Sequence, residues 1–107
     1  MNDITIEYNY YINYETDLPK DGEYIVVDWD TLSIPITVTS NVAWLYADGS
    51  STCTMTPGNG NVGTTSVEIQ PYEENIYDTE ITGYVQLEDI DDKGVTTLIR
   101  WKQLPQN

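Results

Sequence analysis

Four tyrosines, Tyr8, Tyr10, Tyr11 and Tyr14, fall close together near the start of the chain. Tyrosine rings stack on sugar rings, and at protein interfaces they bury area while keeping a polar tip. The parity of the positions divides the cluster. Ile4, Ile6, Tyr8, Tyr10, Ile12 and Tyr14 share one face of a two-residue repeat, and Thr5, Glu7, Asn9 and Asn13 share the other. Packing of an ordinary strand therefore accounts for Tyr8, Tyr10 and Tyr14, beside two functional readings, a subunit interface and a sugar platform. Tyr11 alone points with the polar set and is the exposed candidate.

A second constellation is Glu88-Asp89-Ile90-Asp91-Asp92-Lys93-Gly94. Asp89, Asp91 and Asp92 ahead of a glycine resemble the opening of a calcium loop, where closely set oxygens enclose a hard cation. Lys93 occupies a ligand position and no Glu closes the loop, so the stretch reads as an acidic hairpin tip and no metal is expected. With 18 acidic residues, carboxylate pairs arise by chance. Glycoside hydrolysis needs such a pair inside a cleft that raises one pKa, and a short all-β chain offers little cleft. Cys53 is the single cysteine and the chain has no His. An intrachain disulfide is excluded, a thiol nucleophile would lack its base, and Cys53 reads as a small buried hydrophobe. Gly58-Asn59-Gly60-Asn61-Val62-Gly63 has no lysine and opens no helix, so it reads as a flexible loop tip and not a phosphate cradle. No catalytic residue and no cofactor are expected.

Composition narrows the partners. The 107 residues fit one domain with a two-layer core, and the net charge is -14. Nucleic acid demands Lys and Arg against its phosphates, and anionic membranes repel such a chain, so neither is expected as a partner. A basic protein surface remains open. Met1-Asn2-Asp3-Ile4-Thr5 has no basic or apolar leader character, and no apolar run is long enough to span a membrane. Either a signal was removed, or the chain begins here and is made in a cytoplasm. The Met1 start favours a small protein pinned within an assembly.

The elements that must position these residues are nearly all of period two. Segment 4–14 reads as one long strand and 15–23 as a loop with an Asp21-Gly22 turn. Tyr24–Trp29 is β-rich. Ile34, Ile36 and Val38 alternate with Pro35 and Thr37, and Pro35, which cannot donate to a ladder, predicts an edge or a bulge. Val42, Trp44 and Tyr46 share a face, as do Cys53 and Met55, and Val67 and Ile69. After an acidic connection over 71–79, Ile81, Gly83, Val85 and Leu87 share a face, and Val95, Thr97, Ile99 and Trp101 close the chain. About eight short strands at this spacing predict a β-sandwich.

Three stretches carry a resemblance. Thr39-Ser40-Asn41-Val42-Ala43-Trp44 sets a Ser-Asn turn before a Trp. Thr56-Pro57-Gly58-Asn59-Gly60 gives a Pro/Gly turn, and Ile99-Arg100-Trp101-Lys102-Gln103 ends a strand on Gln. This order resembles the BACON domain, an immunoglobulin-like β-sandwich of gut Bacteroidetes and their phages, over about residues 24–104. Asn75 followed by Ile81-Thr82-Gly83-Tyr84-Val85 is similar to the family's Asn-containing loop and next strand. The resemblance implies an all-β, immunoglobulin-like (BACON-like) sandwich of about seven to eight antiparallel strands, with Trp44 packed between the sheets. The sequence departs from the family at Cys53 and Met55, where a second Trp is common, and at Asp78-Thr79-Glu80, where an Arg is common. Segment 4–14 lies outside the resemblance.

Together these readings predict a single domain over 1–107, with residues 1–14 a strand or an assembly arm. The favoured function is structural: an auxiliary or decoration protein on the capsid of a phage of gut bacteria. It would be assembled in the host cytoplasm against capsid or other virion subunits. The alternative is a carbohydrate- or mucin-binding module of a secreted Bacteroidetes protein, located outside the cell or at its surface, with a glycan as partner. A spacer without a ligand is the third reading.

Overall fold

The computed structural model describes residues 11–107, and these form two facing β-sheets. The strands are β1 (Ile12–Glu15), β2 (Lys20–Asp21), β3 (Tyr24–Val27), β4 (Ile34–Ser40), β5 (Trp44–Gly49), β6 (Cys53–Thr56), β7 (Asn59–Gly60), β8 (Gly63–Pro71), β9 (Ile81–Asp89) and β10 (Thr96–Gln103). One sheet has the order β1-β4-β8-β6 and the other β2-β3-β10-β9-β5-β7. The result is an all-β sandwich, consistent with an immunoglobulin-like arrangement. β2 and β7 are two-residue pieces, so the substantial strands number about eight, as the spacing predicts.

One pairing departs from the antiparallel expectation. β10 runs parallel to β3, with Trp101 opposite Ile25, and antiparallel to β9. The cause is the path of the chain. It leaves the six-stranded sheet after β3, re-enters it at β5 and again at β9, and the β9–β10 hairpin fixes the direction in which β10 lies beside β3. Two segments read as loops also contribute edges. Lys20–Asp21 pairs with β3 through the Gly22 turn, and Asn59–Gly60 pairs with β5. Pro35 sits in β4, an inner strand, but β1 ends at Glu15 opposite Thr37. Beyond that point β4 is locally an edge, and the Pro35 carbonyl takes a hydrogen bond from the Thr16 hydroxyl at 3.0 Å.

Alternation delivers the core. Ile34, Ile36, Val38, Cys53, Met55, Val67 and Ile69 are buried from the four-stranded sheet, and Ile25, Val27, Trp44, Val85, Leu87, Ile99 and Trp101 from the other. The chain has no Phe, so Trp44 and Trp101, both completely buried, supply the aromatic bulk. Each lies against a glycine directly across the ladder: Trp44 opposite Gly60, and Trp101 opposite Gly83. A Cβ at either glycine would overlap the facing indole ring. The 57–63 stretch is thus more than a loop tip, because Gly60 closes one end of the core. Polar contacts also join the sheets, among them one from the Cys53 thiol to the Tyr84 carbonyl at 3.7 Å. The Trp101 indole donates to Cys53 Sγ at 3.2 Å, and the Thr97 hydroxyl donates to the Ile12 carbonyl. Cys53 is buried as expected and also acts as an acceptor.

Trp44→Ala is expected to cost about 3–5 kcal/mol in urea unfolding through the cavity it leaves. Gly83→Ala is expected to cost about 1–3 kcal/mol, because the added methyl must displace a rigid ring. Gly58→Ala, with open space around its Cβ position, is the control and should stay within about 0.5 kcal/mol of the parent.

Candidate functional site

The Ser-Asn turn after β4 grips the start of β1. Asn41 Oδ1 accepts the Tyr11 backbone N–H at 2.7 Å, and the Asn41 N–H reaches the Tyr11 carbonyl at 3.3 Å. Ser40 is buried, and its hydroxyl oxygen accepts the Val42 N–H at 3.0 Å and lies 3.1 Å from the Tyr11 carbonyl. The turn that carried the resemblance therefore holds the Tyr11 backbone at the head of β1. Of the four candidate tyrosines, Tyr8 and Tyr10 lie outside the described residues. Tyr11 is exposed, and Tyr14 packs partly against the core beside Ile12. The structure does not bring these two to a shared surface. Lys20 Nζ sits 4.2 Å from the centre of the Tyr14 ring, which occupies one face of that ring with a cation.

The outer face of the four-stranded sheet is polar. Thr37 and Thr39 on β4, Thr64 and Ser66 on β8, and Thr54 and Thr56 on β6 face outward in register. An open depression of about 900 Å³ on this side is lined by Tyr14, Glu15, Lys20, Thr37, Thr56 and Glu68 among others. At the acidic hairpin Asp89 is buried, not a solvated tip residue, because it closes β9 opposite Trp44. Its carboxylate accepts the Asp91 N–H at 2.9 Å, and the Asp92 carboxylate accepts the Gly94 N–H at 2.9 Å. Asp91 and Asp92 are exposed. Two of the three candidate ligands thus cap the turn, and no group of three metal-binding side chains converges among the described residues.

The most organised polar cluster lies at the end of the sandwich where segments 27–32, 72–79 and 103–106 meet. Asn75 and Gln103, both completely buried, sit at its centre. Asn75 Nδ2 donates to the Thr79 and Gln103 carbonyls at 2.8 and 3.1 Å, and Asn75 Oδ1 accepts the Tyr77 N–H at 3.1 Å. The Asn75 N–H reaches the Trp29 carbonyl at 2.7 Å, and its own carbonyl accepts Gln106 N–H at 3.1 Å. Gln103 Nε2 donates to the Thr31 and Glu73 carbonyls at 3.0 and 3.2 Å. Two buried amides thereby replace the ladder bonds that these loop backbones lack.

Beside this hub the same segments expose Leu32, Tyr72, Ile76, Tyr77 and Leu104, with Trp29 half-buried. Ile76 and Tyr77 are 58% and 52% accessible although their backbones are tethered. Asp28, Asp30, Glu73, Glu74 and Asp78 are exposed on the same segments, which contain no Lys or Arg. Sequence reasoning passed over this surface. The available signal was Ile76-Tyr77, two large apolar residues in a connection without strand parity. Lys102, next to the hub, is held by Asp21 at 3.2 Å and Glu80 at 3.3 Å and lies over the Tyr24 ring. The hydrogen bonds to Asp21 and Glu80 push its pKa above the usual 10.5. Burial, followed by neighbouring Cys53, raises Tyr46 above its ordinary 10.0.

No protein-family model matches the chain, and a search of curated proteins finds no match. Among solved structures the chain is similar to part of a Bacteroides ovatus GH5 xyloglucanase in complex with a XXXG heptasaccharide. The TM-score is 0.59 at 21% identity, over 89% of this chain and 19% of that one. At that identity the likeness concerns the fold. The chain spans about a fifth of the enzyme's length.

Asn75→Ala is expected to lower stability by at least about 1–3 kcal/mol in urea unfolding, since it strands buried carbonyls. It should also speed amide exchange at Tyr77. Both raised pKa values favour the protonated folded state. Their contribution is present below the unfolded values and is lost as pH climbs through the folded ones. The melting temperature should therefore fall above about pH 10, and Tyr46→Phe should make that fall shallower.

Proposed function

We propose that this chain is a non-catalytic, immunoglobulin-like structural module that joins a larger assembly by protein contact. Decoration of a phage capsid is the setting that suits it best. The observation carrying this reading is the loop end, where apolar and aromatic side chains stand exposed on backbone held by Asn75 and Gln103. Side chains displayed on tethered backbone lose little further freedom on docking, which is how a protein interface gains affinity from few residues. The BACON-like order of turns fits such a module and brings no catalytic residues with it.

A second reading, a glycan-binding module of a secreted protein, is favoured by one surface and one likeness. The surface is the outer face of the four-stranded sheet, whose depression offers hydroxyls and carboxylates to a sugar chain. The likeness is to a fifth of a glycoside hydrolase chain.

Two measurements on the purified chain separate these readings: co-sedimentation with empty capsids of phages of gut bacteria, and a glycan array. The expected result is capsid binding that the double variant Ile76→Ser/Tyr77→Ser abolishes, with a silent array. Strong glycan binding without capsid binding would overturn the structural reading.

A further inference from the structure

The loop end carries two features together, and their combination specifies a partner. Leu32, Ile76, Tyr77 and Leu104 provide exposed apolar contact area around the Asn75–Gln103 hub. Asp28, Asp30, Glu73, Glu74 and Asp78 are exposed on the same loop segments, and none of the five forms an ion pair among the described residues. Lys102, the residue before Gln103, is already shared between Asp21 and Glu80.

Charge complementarity decides what such a patch accepts. A second copy of the chain would bring another net charge of -14 to the contact, and like charges set face to face cost several kcal/mol. An uncharged apolar segment would bury these carboxylates without partners. A segment with Lys or Arg flanking an apolar anchor satisfies both features, because the cations meet the acidic rim while the anchor covers Ile76 and Tyr77. Guanidinium also stacks on exposed Tyr faces, which favours Arg over Lys.

We infer that the loop end formed by residues 28–32, 72–78 and 104 is a docking surface for a basic protein segment. That segment presents Arg or Lys around an apolar or aromatic side chain. The inference rests on the protein-contact reading of the function and names the chemistry of the partner. Attraction at an exposed acidic rim acts mainly on encounter, so association should be steeply dependent on salt.

The test is selection of a random peptide library displayed on yeast against the whole chain, followed by affinity measurements on the enriched peptides. Three variants are compared with the parent: Ile76→Ser/Tyr77→Ser, a rim variant with Asp28→Asn, Glu74→Gln and Asp78→Asn, and a control with Glu15→Gln and Glu68→Gln on the four-stranded sheet and Asp17→Asn in the loop after β1. All these positions are exposed, and circular dichroism checks that each variant folds. The inference expects enriched peptides with Arg or Lys beside an apolar residue. Their affinity should fall at least about tenfold in the first variant and severalfold in the rim variant, with little change in the control. Equal losses in the rim variant and the control would show non-specific attraction to net charge and overturn the inference. Enriched peptides without basic residues that still depend on Ile76 and Tyr77 would overturn the partner chemistry and leave the protein-contact reading standing. No enrichment, or peptides indifferent to Ile76 and Tyr77, would overturn both.

Discussion

The sandwich depends on two indole rings that fit only because glycine faces each of them. A two-sheet core needs bulk between its layers, and this chain has no Phe to provide it. Trp44 and Trp101 fill the space, both on the inner face of the six-stranded sheet, and each lies against a neighbouring strand at a residue with no side chain. The constraint spreads from there. Gly60 holds β7 to the sheet edge beside Trp44, Gly83 keeps β9 close to Trp101, and Cys53 offers the sulfur that takes the Trp101 N–H from the opposite sheet. The thiol does a modest version of what a cross-sheet covalent link does elsewhere: it pairs an aromatic ring with a sulfur at the centre of the sandwich and leaves few polar atoms stranded.

At one end of that core the packing is amide-based. The backbone leaves the ladders over 28–32, 72–79 and 104–106, and every buried carbonyl and N–H there needs another partner. Asn75 and Gln103 supply donors in several directions at once, which an apolar side chain could not do. Because these bonds go to backbone atoms, they fix the course of the loops and leave the intervening side chains free to face outward. A tethered loop with exposed Ile76 and Tyr77 is the consequence. Rigidity and display therefore have one cause.

Much of the fold was legible in the sequence because alternation is a local signal. Val67 and Ile69, Ile99 and Trp101, and Cys53 and Met55 are buried as their parity implies. Trp44 is fully buried, on the inner face with Val42 that its parity implies. What escaped depends on relations between distant residues. The parallel pairing of β10 with β3 follows from the order in which strands enter a sheet, and no window of sequence contains that order. Gly60 reads as a loop residue until the ring of Trp44 is seen above it. Asp89 reads as one acid among several until its place opposite Trp44 buries it. The candidate site was the least legible part. Ile76 and Tyr77 lie outside any strand, and their significance comes from Asn75, whose partners are near position 29 and near position 103.

The acidity of the chain and the apolar loop end are linked by what an exposed patch must avoid. An uncharged patch of this kind would invite copies of the chain to pair with one another. The carboxylates at positions 28, 30, 73, 74 and 78 oppose this, because two such patches brought together place like charges within a Debye length, roughly 8 Å at physiological salt. On the docking proposal, the same carboxylates attract a cationic surface, so the charge that opposes self-association would also select the partner. Specificity here is repulsive as much as attractive. The excess of acid over base elsewhere on the chain extends the effect, since like net charge sets free copies against one another.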